Sequence, residues 1–285
     1  MTEEAVAPLP PAQPAAPPAP SARAELARTA LFLLKLAALV LVVRSFLVAP
    51  FVIPSESMLP RLWIGDYLLV AKWPYGWSRH SLPLSPPLPA GRLAGSLPRR
   101  GEVVVFKAPP DAGHDVVKRV IGLPGDSIQL REGQLILNGV AVPRQRIADF
   151  VAPLTPNSPC LTSRYDPTDW ADTLSDGSRV CRYPQYRETL PSGLSYAVLD
   201  LARVAVDDTE VVSVPDGHVF VLGDNRDRSG DSRAEPAAGG VGLVPIDNLE
   251  GRVLVTIFSV DGSGLLWKPW SWAGAIRWDR IGMRQ

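Results

Sequence analysis

An antiparallel, mainly β protein behind one N-terminal apolar helix is the fold class this sequence predicts, on three observations. The run ALFLLKLAALVLVVRSFLVA fills residues 30–49 with apolar side chains. Beyond Phe51 the apolar residues recur with period two rather than 3.6, in short stretches closed by Gly, Pro, Asp or Asn. The chain has 285 residues and is 46% hydrophobic, enough to fill the core of one large or two modest domains. Lysine plus arginine (29) balance aspartate plus glutamate (29), so no single-signed field points to nucleic acid.

Residues 1–28 open with MTEEAVAPLPPAQPAAPPAP, almost wholly Ala and Pro, and read as a disordered tail. Residues 29–50 read as a transmembrane helix, since the apolar run spans ~30 Å as a helix and Pro50 supplies a stop. Lys35 and Arg44 interrupt it, each able to snorkel to its nearer interface. A cleavable signal peptide is the alternative. The run is longer than a usual signal core and Pro50 would sit just after the cut, which favours a retained anchor. Arg23 and Arg28 then place the tail in the cytoplasm and everything after Pro50 across the membrane.

The strands are expected in DYLLVAK, GEVVVFKAP, DVVKRVIGLPGD, SIQLREGQLILNG, LSYAVLDLARV, GHVFVLGD and GRVLVTIFSV. REGQ and LNGV read as hairpin turns, with Asn138-Gly139 the stronger signal. Two segments lack the alternation, Trp73 to Arg100 and Phe150 to Thr189. The division that follows is a main β domain at 51–125 and 210–285, with an inserted subdomain at 126–209. Cys160 and Cys181, the only cysteines, lie in the exported portion and read as a disulfide or as two unpaired thiols. No Cys/His cluster suggests a metal. Trp267, Trp270, Trp272 and Trp278, set among basic residues, fit either a surface leaning on lipid headgroups or a tryptophan-rich core.

A serine attacks only with a base beside it. His80, His114 and His218 have no GxSxG-type elbow to serve. Lysine is the other base, and Lys118 lies among Val116, Val117, Val120 and Ile121 on an expected strand. Bringing its amine from ~10.4 to about 8 takes roughly 3.3 kcal/mol of desolvation, within what buried lysines show. Taken alone, the strand favours a surface lysine paired with an acid. GDNRDRSGDSR, residues 223–233, is too polar for a core and too dense in hydrogen-bonding residues for a plain loop, so it reads as an Asp/Arg network around a buried polar centre.

PSESM with LPRLWIGDYLLV, then RGEVVVFKAP, DVVKRVIGLPGD and GDNRDRSGDSR, together resemble the bacterial type I signal peptidases, membrane-bound Ser/Lys proteases. The resemblance spans Pro54 to Arg233 and implies the antiparallel β catalytic fold shared with self-cleaving repressors of the DNA-damage response. It makes Ser57 the nucleophile and Lys118 the general base. It assigns the oxyanion hole to the Ser55 hydroxyl with the Ser57 N–H, and the orientation of the Lys118 amine to Ser229. Asp231, Arg233, Asp224 and Arg119 would brace the surrounding turns. It implies no cofactor, exported preproteins cut after Ala-x-Ala as substrates, membrane lipid and the export translocon as partners, and a place in the bacterial inner membrane with the catalytic domain periplasmic. On this reading Ser55 and Ser57 share one face of an extended segment between Pro54 and Pro60.

Three departures stand out. Glu56 occupies a place where many members have Gly, and its carboxylate has to point away from the oxyanion. AEPAAGGVGLVP follows Arg233 without the aromatic some members have. One anchor is present where some relatives have two. The self-cleaving repressors carry a DNA-binding domain where this chain has its apolar run, and residues 1–50 show no basic helix-turn-helix pattern. A peptidase dedicated to one pilin or conjugation protein differs only in substrate range. A non-catalytic membrane-anchored scaffold is the alternative from another class, against which all four of Ser55, Ser57, Lys118 and Ser229 are in place.

Overall fold

A computed structural model describes residues 22–83, 85–160, 170–265 and 267–285. Two compact units are distinguished, Met1–Leu41 and Val42–Gln285. The first contains the helix α1 (Ala22–Val42) except its last residue. The helical span Glu25–Leu47 has mean hydropathy 2.3 over its apolar window, long and apolar enough to cross a membrane. The helix begins before residue 29 and does not reach Pro50: a π-helical turn covers Val43–Leu47, and Pro50 lies in a strand. Pro50 is therefore not the residue that ends the helix, and its missing N–H costs nothing on a strand edge that has no neighbour among the described residues. The first residues of the tail lie outside the described residues.

In the second unit the described residues form strands β1 (Val48–Val52), β2 (Asp66–Ala71), β3 (Val103–Lys107) and β4 (Asp115–Gly122). These are followed by β5 (Ser127–Arg131), β6 (Gln134–Leu137), β7 (Val140–Ala141), β8 (Arg144–Pro153), β9 (Ala171–Thr173), β10 (Arg179–Thr189) and β11 (Ser195–Leu199). The last are β12 (Val212–Ser213), β13 (His218–Leu222), β14 (Val244–Pro245) and β15 (Leu249–Ser259). One antiparallel sheet runs β1-β2-β15-β3-β4-β13-β14, a second β11-β10-β8 with β9 beside β10, and a third β12-β5-β6-β7. The period-two reading holds where a strand has one core face and one open face, as in β5 and β6, whereas β3, β13 and the second half of β4 are buried on both faces. Both expected hairpin turns form: Glu132 and Gly133, then Asn138 and Gly139, take consecutive positive φ angles of 49°, 75°, 51° and 77°.

The polar stretch Phe150–Thr189 is not one long loop. It holds the end of β8 and, in β10, one of the two longest strands. Its period is masked because charged residues fill the open face of β10 and Pro184 interrupts it. The proline sits at a bulge, where the β8–β10 register slips between Tyr183 and Gln185. The other irregular segment is tied down by Arg92, whose guanidinium donates to the carbonyls of Tyr75, Ile246 and Leu249 at 2.9, 2.8 and 2.9 Å.

Cys160 and Cys181 form a disulfide with Cα atoms 5.4 Å apart. It lies in an apolar cluster with Leu59, Tyr183, Leu199 and Leu201. The bond closes a sequence separation of 21 residues, so removing both thiols as Cys160→Ala/Cys181→Ala is expected to lower stability by about 3 kcal/mol. A urea midpoint checks this. An unchanged midpoint would mean that the unfolded chain is already constrained there.

Candidate active site

β1 ends at Val52, but Ile53 keeps pairing: its N–H donates to the Asp66 carbonyl at 2.9 Å and its carbonyl accepts from Gly65 at 2.9 Å. The chain then bends at Ser55 and Glu56 and turns through residues 57–61. Leu59 N–H donates to the Glu56 carbonyl at 3.0 Å, and Leu62 N–H to that of Met58 at 2.8 Å. Three buried apolar side chains force this turn. Met58 and Leu62 enter the core of Leu68, Val70, Val103 and Val105, while Leu59 enters the disulfide cluster. The expected extended segment is therefore a tight turn, yet it still brings the two hydroxyls together, with Ser55 Oγ 3.3 Å from Ser57 Oγ.

Lys118 arrives from β4, opposite Val104 of β3. It is 4% exposed, and its Nζ donates to Ser57 Oγ at 2.7 Å. Burial pulls the amine from 10.5 down to about 8; Asp231 and Asp224 work against that, and Arg233 adds to it. None of the three histidines is hydrogen-bonded to Ser57. His80 Nδ1 contacts Ser85 Oγ at 3.1 Å, and His218 Nδ1 contacts the Asp216 carbonyl at 3.1 Å.

The loop 223–233 leaves β13 where Leu222 pairs with Arg119. Arg119 grips Asp224 with a two-pronged ion pair, Nε–Oδ1 2.7 Å and Nη2–Oδ2 2.5 Å. Arg233 Nε donates to Asp231 Oδ1 at 2.8 Å, and Asp231 Oδ2 accepts the Gly223 N–H at 3.1 Å. Arg226 pairs with the wholly buried Glu188 at 2.5 Å. Asn225 N–H donates to the Ser57 carbonyl at 3.1 Å, so this loop directly holds the serine turn. A side chain at Gly223 would meet Ser229 Oγ at 2.2 Å and the Ser57 carbonyl at 2.6 Å, which explains a glycine there.

Ser55, Ser57, Lys118, Asp224, Arg119, Asp231 and Arg233 thus gather at one place. Ser229 is differently placed: among the described residues its buried hydroxyl packs on Gly223 and makes no hydrogen bond to the Lys118 amine. Sequence reasoning missed Gly223 and Arg228. The signal for Arg228 was Glu56, an acid between two serines that needs a countercharge. Arg228 Nη1 donates to Glu56 Oε2 at 2.6 Å.

Ser57 and Lys118 line a cleft of about 710 Å³, with Phe51–Pro54 on one side and Asp115–Val117 on the other. Among the described residues β1 pairs only with β2, and residues 115–118 of β4 pair only with β3. Two open strand edges therefore border the cleft, the surroundings an extended peptide needs.

A buried amine at hydrogen-bonding distance from a serine, in a cleft shaped for a strand, is the equipment of a serine hydrolase that uses lysine as its base. The family model described as signal peptidase, peptidase S26, matches residues 26–258, and the chain belongs to that family. Signal peptidase I of Rickettsia typhi is 31% identical over 259 residues, 85% of this chain and 87% of that protein. The Rickettsia akari signal peptidase I is 32% identical over 228 residues, 77% and 74% of the two chains. A crystal structure of a signal peptidase I from Enterococcus faecalis aligns at 24% identity and TM-score 0.28, covering 55% of this chain and 97% of that one. With this kinship the apolar α1 is a membrane anchor, and the protein is a membrane-anchored peptidase.

Proposed function

We propose that this protein removes signal peptides from exported preproteins by Ser57/Lys118 chemistry. The observation that carries the reading is the 2.7 Å approach of Lys118 Nζ to Ser57 Oγ at a site where the lysine is 4% exposed. The neutral amine takes the Ser57 proton as Oγ attacks the scissile carbonyl. The Ser57 N–H and the Ser55 hydroxyl donate to the oxyanion. Collapse breaks the C–N bond, and the leaving amine takes the proton from Lys118. Water then attacks the ester, its proton passing to Lys118 and on to Ser57 as the signal peptide's new carboxylate departs. The substrate lies extended between the open edges of β1 and β4, with small residues, as in Ala-x-Ala, at the positions nearest the cut.

Residues 51–125 and 210–285 form the catalytic domain in this proposal, with 126–209 inserted. The domain faces the periplasm from the inner membrane, the tail is cytoplasmic, and the export translocon delivers the substrate. Trp267, Trp270, Trp272 and Trp278 are 73%, 76%, 47% and 65% exposed, so the core alternative falls away and lipid headgroups are their proposed contact.

Cleavage of a preprotein with an Ala-x-Ala site by the full chain in detergent tests the reading. Ser57→Ala is expected to abolish the reaction, and Ser55→Ala to lower kcat by about 10²–10³-fold. A folded Ser57→Ala variant that cuts like wild type, or a wild type that does not cut, would refute it.

A further inference from the structure

Glu56 places a carboxylate between the residue that supplies the oxyanion's hydroxyl and the nucleophile, at 8% exposure. A negative charge left there would oppose the oxyanion at the moment it forms, in surroundings too dry to screen it. The side chain is instead captured. Glu56 Oε2 accepts from Arg228 Nη1 at 2.6 Å, and both side chains are 9% exposed. Arg228 is held in turn by the element behind it: Nη1 also donates to the Tyr183 hydroxyl at 3.3 Å, and the guanidinium lies 5.3 Å from the Tyr183 ring centroid. Its neighbour Arg226 is locked to Glu188. Arg228 also lines the cleft that holds Ser57 and Lys118.

We propose that Arg228 is a positioning residue that cancels the Glu56 charge and turns that carboxylate away from the reacting carbonyl. The inference rests on Ser57 being the nucleophile and Ser55 an oxyanion donor. Glu56 and Arg228 then work as one unit, in which the arginine is needed because the glutamate is present. The other charges facing the dyad, Asp231, Asp224 and Arg233, belong to the loop 223–233 and are unchanged by substitutions at this pair.

The consequence is a strong non-additivity. Arg228→Gln leaves Glu56 unpaired and is expected to lower kcat on the Ala-x-Ala preprotein by about tenfold or more, with KM within about twofold. Arg228→Lys keeps the charge and should keep most of the activity. Adding Glu56→Gln to Arg228→Gln is expected to restore kcat to within about threefold of wild type, which loss of a purely structural contact would not do. Wild-type kcat in Arg228→Gln, or a folded double variant no better than the single, would overturn the inference. If Arg228→Gln does not fold, the double variant alone decides. Activity within about threefold of wild type supports the proposal, and a loss beyond about tenfold overturns it. Ser57→Ala is run beside these variants: if it is active the nucleophile is misassigned, and if it is inactive the result bears on Arg228 alone.

Discussion

Replacing Lys118 by Met is expected to abolish turnover and, near pH 7, to make the protein more stable. The loss of activity is expected to reach about 10⁴-fold or more, because Ser57 then has no base and the remaining oxyanion donors act alone. The gain in stability has the opposite origin. Burial lowers the amine from 10.5 to about 8, so below pH 8 the folded state holds a proton on a group it would rather leave neutral. The sign follows from proton counting: between about 8 and 10.5 the unfolded chain binds the proton and the folded one does not. Stability therefore rises with pH through that window, and the full penalty of about 3 kcal/mol is present below it. Methionine has similar length and no charge, so Lys118→Met removes the penalty. Denaturation at pH 7 checks the gain, and it should shrink toward pH 10. The same titration governs wild-type kcat/KM, which should rise with pH to a plateau with its midpoint near 8. A rate that is flat from pH 6 to 9, or a Lys118→Met variant less stable than wild type at pH 7, would remove the neutral-amine mechanism.

The burial of Lys118 was not readable from its strand, which alone favours a surface lysine paired with an acid; the density of hydrogen-bonding residues at 223–233 is what pointed to a buried polar centre. The hairpins at Glu132-Gly133 and Asn138-Gly139 were readable for a local reason, since few residues adopt two consecutive positive φ angles. What escaped was decided at long range. β1 continues the apolar run without a break in composition, and only its pairing with β2 makes it a strand. β10 hides behind charges that face solvent. The turn at Ser57 depends on where Met58, Leu59 and Leu62 find partners, and those lie in two clusters drawn from distant parts of the chain. Glu56 signals that a countercharge is needed, but which arginine supplies it was unreadable for the same reason: Arg228 is 172 residues away.

Arg119→Met is expected to cost about 3–5 kcal/mol, the largest single loss of stability at this site. The guanidinium is spent on three acceptors: both oxygens of Asp224, and the Gly101 carbonyl at 2.7 Å. It also lies 4.4 Å from the centroid of the Tyr196 ring. With the side chains of Arg119 and Asp224 only 7% and 1% exposed, removing the arginine leaves a carboxylate with neither water nor partner. The pair itself need not be stabilising, since its desolvation offsets much of its attraction. Arg119→Met/Asp224→Leu is therefore expected to recover most of the lost stability, and urea midpoints of the two variants measure the difference. Activity separates them further, because Asp224 also acts on the base. Its charge favours the protonated Lys118, so in Arg119→Met the unpaired carboxylate should move the rising limb of kcat/KM to higher pH. In the double variant that charge is gone and the limb should fall below the wild-type midpoint. If both limbs stay where wild type has its own, the pair is a brace for the fold and does not tune Lys118. If the midpoint in urea is unchanged by Arg119→Met, the pair is not a brace either.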